Sequence, residues 1–398
     1  MLKLEGEWLM KVVLTGGGSS AGHITPNLAI AHQLKQLEPA VEVIYIGHRG
    51  DTLSALATTE RGAIDEMYTV RAGKLRRFHG VGLRQIFDIR TTLKNIRDVW
   101  WVLVGFVQSY WLLRKLKPDC VFIKGSYVGL VVGLAAAALH IPFITHDSDA
   151  IPGLGNRIIA RWAKIHAVAL SKEIYPYPAD KTITVGIPVQ AEFVEVTPRL
   201  QLSYKKELSL PIDDVVLLVT GGGQGAQRLN TAVVAIASDL FNHIPKLRIL
   251  HLAGHVNEQS VRDAYDAVLR PEQQERVDVK GYSTDLYRYS GAADVIVTRA
   301  GATTMAEFAV QHKACVMVPN PFLTGGQQSK NAEYLTKKQA VYCVSEEDLQ
   351  QNPTVFYTAI LELFQNTEER YKLEKNLGTF AHPDAAKELA MVLLKQAA

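Results

Sequence analysis

Several loops of this 398-residue chain carry residue types suited to chemistry, and each loop follows a short apolar run. Gly16–Pro26 (GGGSSAGHITP) and Gly221–Asn230 (GGGQGAQRLN) are rich in glycine. Glycine lets a backbone turn tightly and approach a ligand, and the free N–H groups of a following helix favour an anion. We therefore expect a phosphate-type site in each half of the chain, with tight turns of no further function as the alternative.

The first of these loops also contains a titratable group, His23. An imidazole with its ordinary pKa of about 6.5 accepts a proton at neutral pH, so a general base and a loop-fixing hydrogen bond are both open roles. Thr25 is expected to cap the next helix and Pro26 to occupy its first position. No Gly-Lys-Ser/Thr sequence follows the glycines, which excludes a P-loop.

A third loop, Arg299–Glu307 (RAGATTMAE), carries an acidic residue and a positively charged arginine after another apolar run. The carboxylate of Glu307 is suited to accept both hydroxyls of a ribose. Thr304 and Glu307 also fit the T-x-x-E pattern of a capping box, so the residues alone leave both interpretations open. Arg299 is suited either to neutralise a phosphate or to form an ordinary ion pair.

Two more polar loops complete the candidates. In Pro319–Asn331, the neutral amides of Gln327 and Gln328 are suited to sugar hydroxyls, although paired glutamines are also common on solvated surfaces. In His146–Asn156 (HDSDAIPGLGN), no further histidine stands at ligand spacing from the histidine and aspartates. We therefore expect no metal there, and instead a polar loop that faces a ligand.

These loops need a scaffold that places them together, and the apolar runs indicate one. Strand, Gly-rich turn and helix recur, which predicts βαβ units and parallel sheets covered on both faces. The pattern restarts near residue 215, so the predicted fold class is α/β, with two Rossmann-like domains facing across a cleft. The predicted strands are Lys11–Thr15, Val41–Ile46, Cys120–Ile123, Ile141–Thr145, Ala167–Leu170, Thr182–Val185, Val215–Thr220, Arg248–Leu252, Val277–Lys280, Val295–Thr298, Val316–Pro319 and Ala340–Val344.

The domain boundaries follow from composition. We predict a first domain at residues 10–190, a second at 199–380 and a terminal helix near Asp384–Gln396, with a polar, Pro-punctuated linker at Gly186–Leu210. A net charge of +3, 47% hydrophobic residues and 21% charged residues are typical of a folded soluble protein and do not favour nucleic acid. Three widely spaced cysteines argue against a disulfide framework and fit a reducing compartment.

One segment combines tryptophans with basic residues. The apolar run Val99–Leu113 has 15 residues, short of the roughly 20 that span a bilayer. Either an interfacial membrane face or a core helix with a solvated basic flank explains this composition. The aromatic and basic residues are Trp100, Trp101, Phe106 and Trp111, with Arg76, Arg77, Arg84, Arg90, Lys94, Arg97, Arg114, Lys115 and Lys117 around them.

Taken in order, the motifs resemble those of the MurG family, bacterial transferases that add N-acetylglucosamine to a lipid-linked muramyl-peptide in peptidoglycan synthesis. The resemblance covers nearly the whole chain after Met10, and it is specific because seven motifs recur in family order. They are GGGSSAGHITPNLA (16–29), AGKLRRF (72–78), KGSYVG (124–129), HDSDAIPGLGNR (146–157), GGGQGAQRLN (221–230), TRAGATTMAE (298–307) and GGQQSKNA (325–332).

The resemblance implies a GT-B fold whose second domain binds UDP-N-acetylglucosamine, with the C-terminal helix, residues 384–398, packing back on the first domain. It implies an inverting transfer without metal or other cofactor. The acceptor would be a muramyl-pentapeptide pyrophosphoryl-polyprenol at the cytoplasmic face of the cell membrane, and the enzyme would serve cell-wall biogenesis, cell shape and cell division. No nucleic-acid partner is expected.

The resemblance also implies residue roles. His23 is the candidate base, Glu307 the ribose-binding acid, and Tyr127 and His146 face the acceptor. Gln190 and Gly223 stand at donor positions where the family more often has a basic residue and serine. The donor-binding residues implied are Ser20, Ala21, Gly22, Asp149, Gln190, Gly223, Ser283, Arg299, Ala302, Thr303, Thr304, Glu307, Gln327 and Gln328.

Three alternatives keep the same fold. A UDP-N-acetylglucosamine 2-epimerase would convert the donor alone, and a diacylglycerol glycosyltransferase would use a different lipid. A UDP-sugar-binding protein without catalysis would bind the donor but give no turnover. KGSYVG and HDSD favour the muramyl acceptor over diacylglycerol.

Overall fold

The computed structural model describes residues 10–17, 24–50, 63–74, 89–222, 225–322 and 324–398. The chain divides into two compact units, one formed by Met1–Ala191 with His382–Ala398 and the other by Glu192–Ala381. Each unit is built on one parallel β-sheet with helices packed against it. The predicted α/β class with two Rossmann-like domains is therefore confirmed.

The sheet of the first unit has seven strands in the order β3-β2-β1-β4-β5-β6-β7. All neighbours are parallel, and the central residue Val13 pairs with Ile44 on one side and Val121 on the other. The strands are β1 (Lys11–Thr15), β2 (Glu42–His48), β3 (Glu66–Val70), β4 (Cys120–Ile123), β5 (Phe143–Asp147), β6 (Ile165–Val168) and β7 (Thr182–Thr184).

The sheet of the second unit has six parallel strands in the order β10-β9-β8-β11-β12-β13. Its six strands repeat the order of the first six in the other sheet, so the two halves share one topology. The strands are β8 (Val215–Thr220), β9 (Leu247–Leu252), β10 (Val277–Lys280), β11 (Val295–Thr298), β12 (Cys315–Met317) and β13 (Tyr342–Cys343).

The helices cover both faces of each sheet. In the first unit the C-terminal helix packs against the first helix, and the long second helix packs against the third. The α-helices are α1 (Thr25–Leu37), α2 (Ile89–Leu116), α3 (Ser126–Ala138), α4 (Leu154–Ile159), α5 (Pro198–Glu207), α6 (Gln227–His243), α7 (Glu258–Val268), α8 (Pro271–Gln274), α9 (Leu286–Ala292), α10 (Ala302–Val310), α11 (Gln327–Lys337), α12 (Glu346–Gln351), α13 (Pro353–Gln365), α14 (Thr367–Gly378) and α15 (Ala385–Ala397).

The core of each unit follows the two-residue period of its strands. Val12 and Leu14 pack on the face covered by α1 and α15, whereas Val13 between them packs on the face covered by α2 and α3. In the second unit Leu217 and Val216 divide between the two faces in the same way. Strands buried on both faces read as continuous apolar runs, which is why the sequence reveals them.

The strand order places the candidate loops at the reversal points of the sheets. In the first sheet, β2 and β3 are added on one side of β1, and the chain then crosses back so that β4 lies on its other side. In the second sheet, β9 and β10 lie on one side of β8 and β11 on the other. In open α/β sheets, ligands bind outside the carboxyl ends of the strands at such a reversal. Lys124 follows β4 there, and Gly221 and Arg299 follow β8 and β11.

Some local predictions are wrong. Strand β3 was not predicted, because the edge sequence EMYTV is half exposed and lacks a continuous apolar run. Gly186–Leu210 is not wholly a linker, since it contains α5, whose Tyr204 is buried. Helix α1 begins at Thr25 with Ile24 in the cap position, one residue earlier than predicted. Within the described ranges, no helix is both long and apolar enough to cross a membrane.

Candidate functional site

The loop after β8 is shaped by glycine. The backbone of Gly225 has φ +75°, its N–H donates to the carbonyl of Gly222 at 2.9 Å, and a methyl group on it would overlap the carbonyl oxygen of Ala253. Gly222 also has positive φ, at +81°, but no described atom lies within 4 Å of where a methyl group would stand. The loop therefore turns sharply into α6, while Gly223 lies outside the described residues.

A buried hydrogen-bond chain holds this loop in place. Asn230 donates to the carbonyl of Ala253 at 2.9 Å, His251 Nε2 lies 3.1 Å from Asn230 Oδ1, and His251 Nδ1 lies 2.9 Å from the hydroxyl of Tyr265. Burial lowers the pKa of His251 to about 3, so the imidazole is neutral at physiological pH. The chain links α6, β9 and α7 beneath the loop, and sequence reasoning missed it because its members lie far apart along the chain.

The predicted ribose acid lies inside a helix. Helix α10 begins at Ala302 with Gly301 in the cap position, so Thr304 and Glu307 are both internal. The capping-box interpretation of this pair is therefore wrong. Ala302, Thr303 and Thr304 form the first turn of α10, at the end where the helix dipole is positive.

The carboxyl of Glu307 is desolvated, which raises its pKa to about 8. No ion pair or hydrogen bond reaches its side chain from the described residues, and its charge contributes to a raised pKa of Tyr282. Tyr282 follows β10 and lies against His255, with ring centroids 5.4 Å apart. A partly buried, unpaired carboxyl beside aromatic rings is suited to accept hydroxyl groups of a ligand. Ser283, also beyond β10, accepts a hydrogen bond from the N–H of Asp285 at 3.1 Å.

The paired glutamines begin α11. Gly325 and Gly326 precede them with φ values of +76° and +66°, which only glycine adopts easily. Gln327 is half-buried, and Gln328 accepts a hydrogen bond from the N–H of Asn320 at 2.9 Å. Gln328 thereby fixes the loop after β12.

One hydrogen bond ties α11 to the loop after β11. Asn331 donates to the carbonyl of Ala300 at 3.2 Å, so the glutamine-bearing helix and the loop that leads into α10 are joined. The second unit thus holds the loops after β8, β10, β11 and β12 along one sheet edge.

Arg299 has a buried partner that the sequence did not reveal. Its guanidinium pairs with Glu346 and donates to the carbonyl of Val318 at 2.9 Å. Arg228 also reaches Glu346, at 3.2 Å, and lies over the ring of Phe322, with 5.0 Å between the guanidinium carbon and the ring centroid. Arg299 therefore neutralises a carboxylate here, and its predicted role toward a phosphate stays a prediction.

The first unit positions the residues predicted to face the acceptor. Tyr127 lies in the first turn of α3, after Gly125 with φ +87°, and its ring meets that of His48 edge-on at 5.2 Å. His146 Nε2 lies 2.8 Å from the carbonyl oxygen of Gly186. Burial, with the nearby charge of Lys124, lowers the pKa of His146 well below its usual value. His146 is therefore neutral and fixed within the unit.

A buried polar cluster beside these residues was also missed. Burial lowers the pKa of Lys124 to about 8, and its ammonium group contacts the hydroxyl of Ser148. Burial raises the pKa of Asp147, although its carboxylate accepts from Tyr177 at 2.7 Å and from the N–H of Gly153 at 3.1 Å. The cluster orders the loop after β5.

The remaining predicted residues are placed as follows. Asp149 lies in the ordered loop after β5, where its carbonyl accepts a hydrogen bond from Tyr175 at 3.1 Å, and Gln190 lies half-buried beyond β7. Both belong to the first unit. Ser20, Ala21, Gly22 and the candidate base His23 lie outside the described residues. Within the described part, no group of three or more His, Cys, Asp or Glu is arranged to hold a metal ion.

Helix α2 carries both faces that its composition suggested. Its inner face packs into the core through Gly105, Ser109 and Leu113. Its outer face exposes large apolar side chains three or four residues apart, with Trp100 61% and Trp111 64% exposed. A core helix alone does not explain this outer face. We call it the apolar stripe; it comprises Ile96, Trp100, Leu103, Val107 and Trp111.

Both units match domains of a known glycosyltransferase family. Residues 12–168 match the Glycosyltransferase family 28 N-terminal domain, and residues 216–389 match the Glycosyltransferase family 28 C-terminal domain. A solved structure of MurG from Acinetobacter baumannii is 23% identical with a TM-score of 0.71, covering 97% of this chain and 99% of that one. A UDP-GlcNAc 2-epimerase from Neisseria meningitidis is 13% identical with a TM-score of 0.64, over 97% and 100%. These structures share the fold.

Curated relatives extend the similarity over the whole chain. The UDP-N-acetylglucosamine--N-acetylmuramyl-(pentapeptide) pyrophosphoryl-undecaprenol N-acetylglucosamine transferase of Natranaerobius thermophilus is 30% identical, over 96% of this chain and 99% of its own. The enzyme of the same name from Citrifermentans bemidjiense is 30% identical, over 97% and 100%. The chain therefore belongs to the MurG family of glycosyltransferases.

Proposed function

We propose that the protein transfers N-acetylglucosamine from UDP-N-acetylglucosamine to a polyprenyl-diphosphate muramyl-pentapeptide, a step of peptidoglycan synthesis. The observation that carries this proposal is the edge of the second sheet, where Glu307, the first turn of α10 and the glutamines of α11 stand together. Full-length similarity to transferases of that name supports the choice of substrates.

In this proposal each part of the edge has a chemical task. Glu307 accepts the ribose hydroxyls, and the positive N-terminal end of α10, at Ala302 to Thr304, stabilises the diphosphate as negative charge develops on the leaving UDP. Gln327 binds sugar hydroxyls, while Gln328, held by Asn320, orders the loop beside them. The acceptor hydroxyl attacks the anomeric carbon with inversion as His23 removes its proton.

The reaction is proposed to need no divalent cation, because helix N–H groups supply the positive potential at the diphosphate. Purified protein should transfer labelled sugar from UDP-N-acetylglucosamine to a synthetic lipid-linked acceptor equally well with and without EDTA. Omitting the acceptor should leave the donor unchanged. Conversion of the donor alone would instead identify an epimerase, and a strict metal requirement would contradict the mechanism.

The protein is also proposed to bind the cytoplasmic surface of the cell membrane through the apolar stripe of α2. Basic residues continue past the stripe at Arg114, Lys115 and Lys117, and exposed tryptophans with nearby cations are typical of surfaces that enter an anionic interface. A peripheral attachment suits an enzyme whose acceptor is proposed to reside in the bilayer.

Replacing Trp100 and Trp111 together by alanine should reduce binding to vesicles of anionic lipid at least tenfold, because two exposed indoles no longer enter the interface. Vesicle co-sedimentation measures this. Replacement of exposed Trp162, which lies on another helical turn under Arg161, serves as the matched control and should have little effect. Equal losses in both variants would contradict the assignment of the stripe.

A further inference from the structure

A cavity of about 500 Å³ lies within the first unit and is distinct from the donor edge of the second. It opens beyond the carboxyl ends of β2 and β3 and is bounded by α2. Arg49, Arg71, Lys74 and Arg97 line it, with Trp101 on one side. Lys74 belongs to the AGKLRRF motif and Arg97 to the basic residues around the tryptophans, but neither pattern explains why four cations gather at one cavity.

Among the described residues that line the cavity, cations outnumber carboxylates. Asp98 is the one carboxylate of this described lining, and it pairs with Arg97 at 3.0 Å. No carboxylate of the described residues forms an ion pair with Arg49 or Arg71. Like charges held together repel one another, and a bound anion removes that repulsion. The cavity is therefore built for a ligand with more than one negative charge.

Described contacts hold the backbone at Arg49 and both the backbone and the side chain of Arg71. The N–H of Arg49 donates to Val70 at 2.9 Å, so the β2–β3 pairing continues to the edge of the cavity. The Arg71 guanidinium lies over the ring of Trp101, 4.2 Å from its centroid, and Gln108 accepts a hydrogen bond from the Arg71 N–H at 2.9 Å.

Two glycines allow the closest contacts around this arrangement. A methyl group on Gly105 would overlap the Arg71 carbonyl, and one on Gly73 would overlap the carbonyl of Asp98. The segment that carries Arg71 and Lys74 is thus fitted directly onto α2. Because this segment is fixed before an anion binds, its backbone loses little entropy on binding.

Residues around the cavity indicate what kind of molecule carries the anion. Tyr127, predicted to face the acceptor, lines the same cavity. Trp101 is followed along α2 by the exposed Leu103 of the apolar stripe and preceded by Trp100. The cavity therefore lies between a residue predicted to face the acceptor and an apolar helix face. A ligand with a lipid, a diphosphate and a sugar in that order matches this sequence of surfaces.

Building on the proposed function, we propose that this cavity binds the diphosphate that joins the lipid to the muramyl sugar of the acceptor. Arginine recognises phosphate oxygens through two parallel hydrogen bonds, so Arg49 and Arg71 are the principal ligands. They are positioning residues, because they hold the acceptor while other groups perform the transfer.

The test is the double variant Arg49→Gln/Arg71→Gln, assayed with a short-chain, water-soluble lipid-linked acceptor and no vesicles. The KM for the acceptor should rise at least tenfold, while the KM for UDP-N-acetylglucosamine stays within twofold. The control Lys164→Gln/Lys172→Gln removes two exposed charges of the same unit outside the cavity and should leave both KM values unchanged. An unchanged acceptor KM in the arginine variant overturns the proposal.

Two further measurements separate the possible sources of the phosphate and the possible failures. The affinity for inorganic diphosphate, measured by calorimetry, should fall at least tenfold in the arginine variant. Because this binding assay needs no turnover, it tests the cavity even if the wild type transfers no sugar and the proposed function fails. Equal diphosphate affinity overturns the proposal. So does a variant that loses only its binding to anionic vesicles, since the cavity would then serve membrane headgroups.

Discussion

Replacing Glu307 by alanine should lower kcat/KM for UDP-N-acetylglucosamine about a hundredfold to ten-thousandfold. In the proposed site the carboxylate accepts two ribose hydroxyls, and hydrogen bonds to a charged group contribute about 1.5–3 kcal/mol each. Since the ribose is bound alike in ground state and transition state, most of the loss should appear in KM. Steady-state kinetics with varied donor measures it, and a donor KM that stays at the wild-type value would refute the role.

The pH dependence gives this prediction a second readout. Desolvation raises the pKa of Glu307 to about 8, so Glu307 is protonated in the free protein at neutral pH. It must lose this proton to accept hydrogen bonds from both ribose hydroxyls of the donor. Donor affinity of the wild type should therefore rise with pH up to about 8, by at most about tenfold per pH unit. The Glu307→Gln variant cannot ionise, and its weaker affinity should be independent of pH.

The glutamine variant also separates binding from folding. Between its ordinary pKa and about 8, Glu307 is protonated in the folded state but ionised in the unfolded state, so stability falls as pH rises through this range. Glutamine removes that dependence. At pH 8 the variant should therefore melt no lower than the wild type, and a lower melting temperature would show that its kinetic defect reflects unfolding.

Replacing Gly225 by alanine should destabilise the second unit by about 3 kcal/mol and weaken UDP binding more than tenfold. A left-handed conformation costs alanine about 1–2 kcal/mol, and an added methyl group in a packed site costs about 1–3 kcal/mol more. The overlapping carbonyl of Ala253 cannot move aside easily, because Asn230 and Asn257 both donate to it, at 2.9 and 3.2 Å. Calorimetric unfolding and UDP titration measure the two effects.

Gly222→Ala is the matched control in the same loop. Its backbone has nearly the same positive φ, +81° against +75°, but no described atom stands near the added methyl group. It should therefore show only the conformational cost, about 1–2 kcal/mol. Equal destabilisation by the two variants would mean that the contact with Ala253 does not control the loop.

Much of the scaffold was predictable from sequence because buried parallel strands are apolar on both faces. Runs such as VVLLVT at Val215–Thr220 coincide with strands of the structure. Strand β3 escaped prediction because an edge strand needs only one buried face, and the residues of EMYTV are mostly half exposed. Helix α5 was hidden in a polar, Pro-containing segment whose few apolar residues, such as Tyr204, find partners only in the folded unit.

Part of the candidate site could likewise be predicted from sequence, and part could not. Glycine loops and polar motifs that follow strands identify themselves in sequence, because their backbone demands and chemical groups are local. Glu346 lies 47 residues from Arg299 along the chain, and no local pattern announces that the two form a buried pair. The same holds for the chain of Asn230, His251 and Tyr265.

Sequence alone determined the α/β class, the two-fold repetition of strand, glycine turn and helix, and the family, since each rests on short-range periodicity or on ordered motifs. The tertiary structure decided which face of a helix is buried and which groups are desolvated. Thr304 and Glu307 satisfy a capping pattern in sequence, yet the helix begins at Ala302, and Glu307 near Tyr282 has no ion-pair or hydrogen-bond partner among the described residues. Hydrogen bonding and charge depend on the solvent that packing removes, and packing joins residues that are distant along the chain.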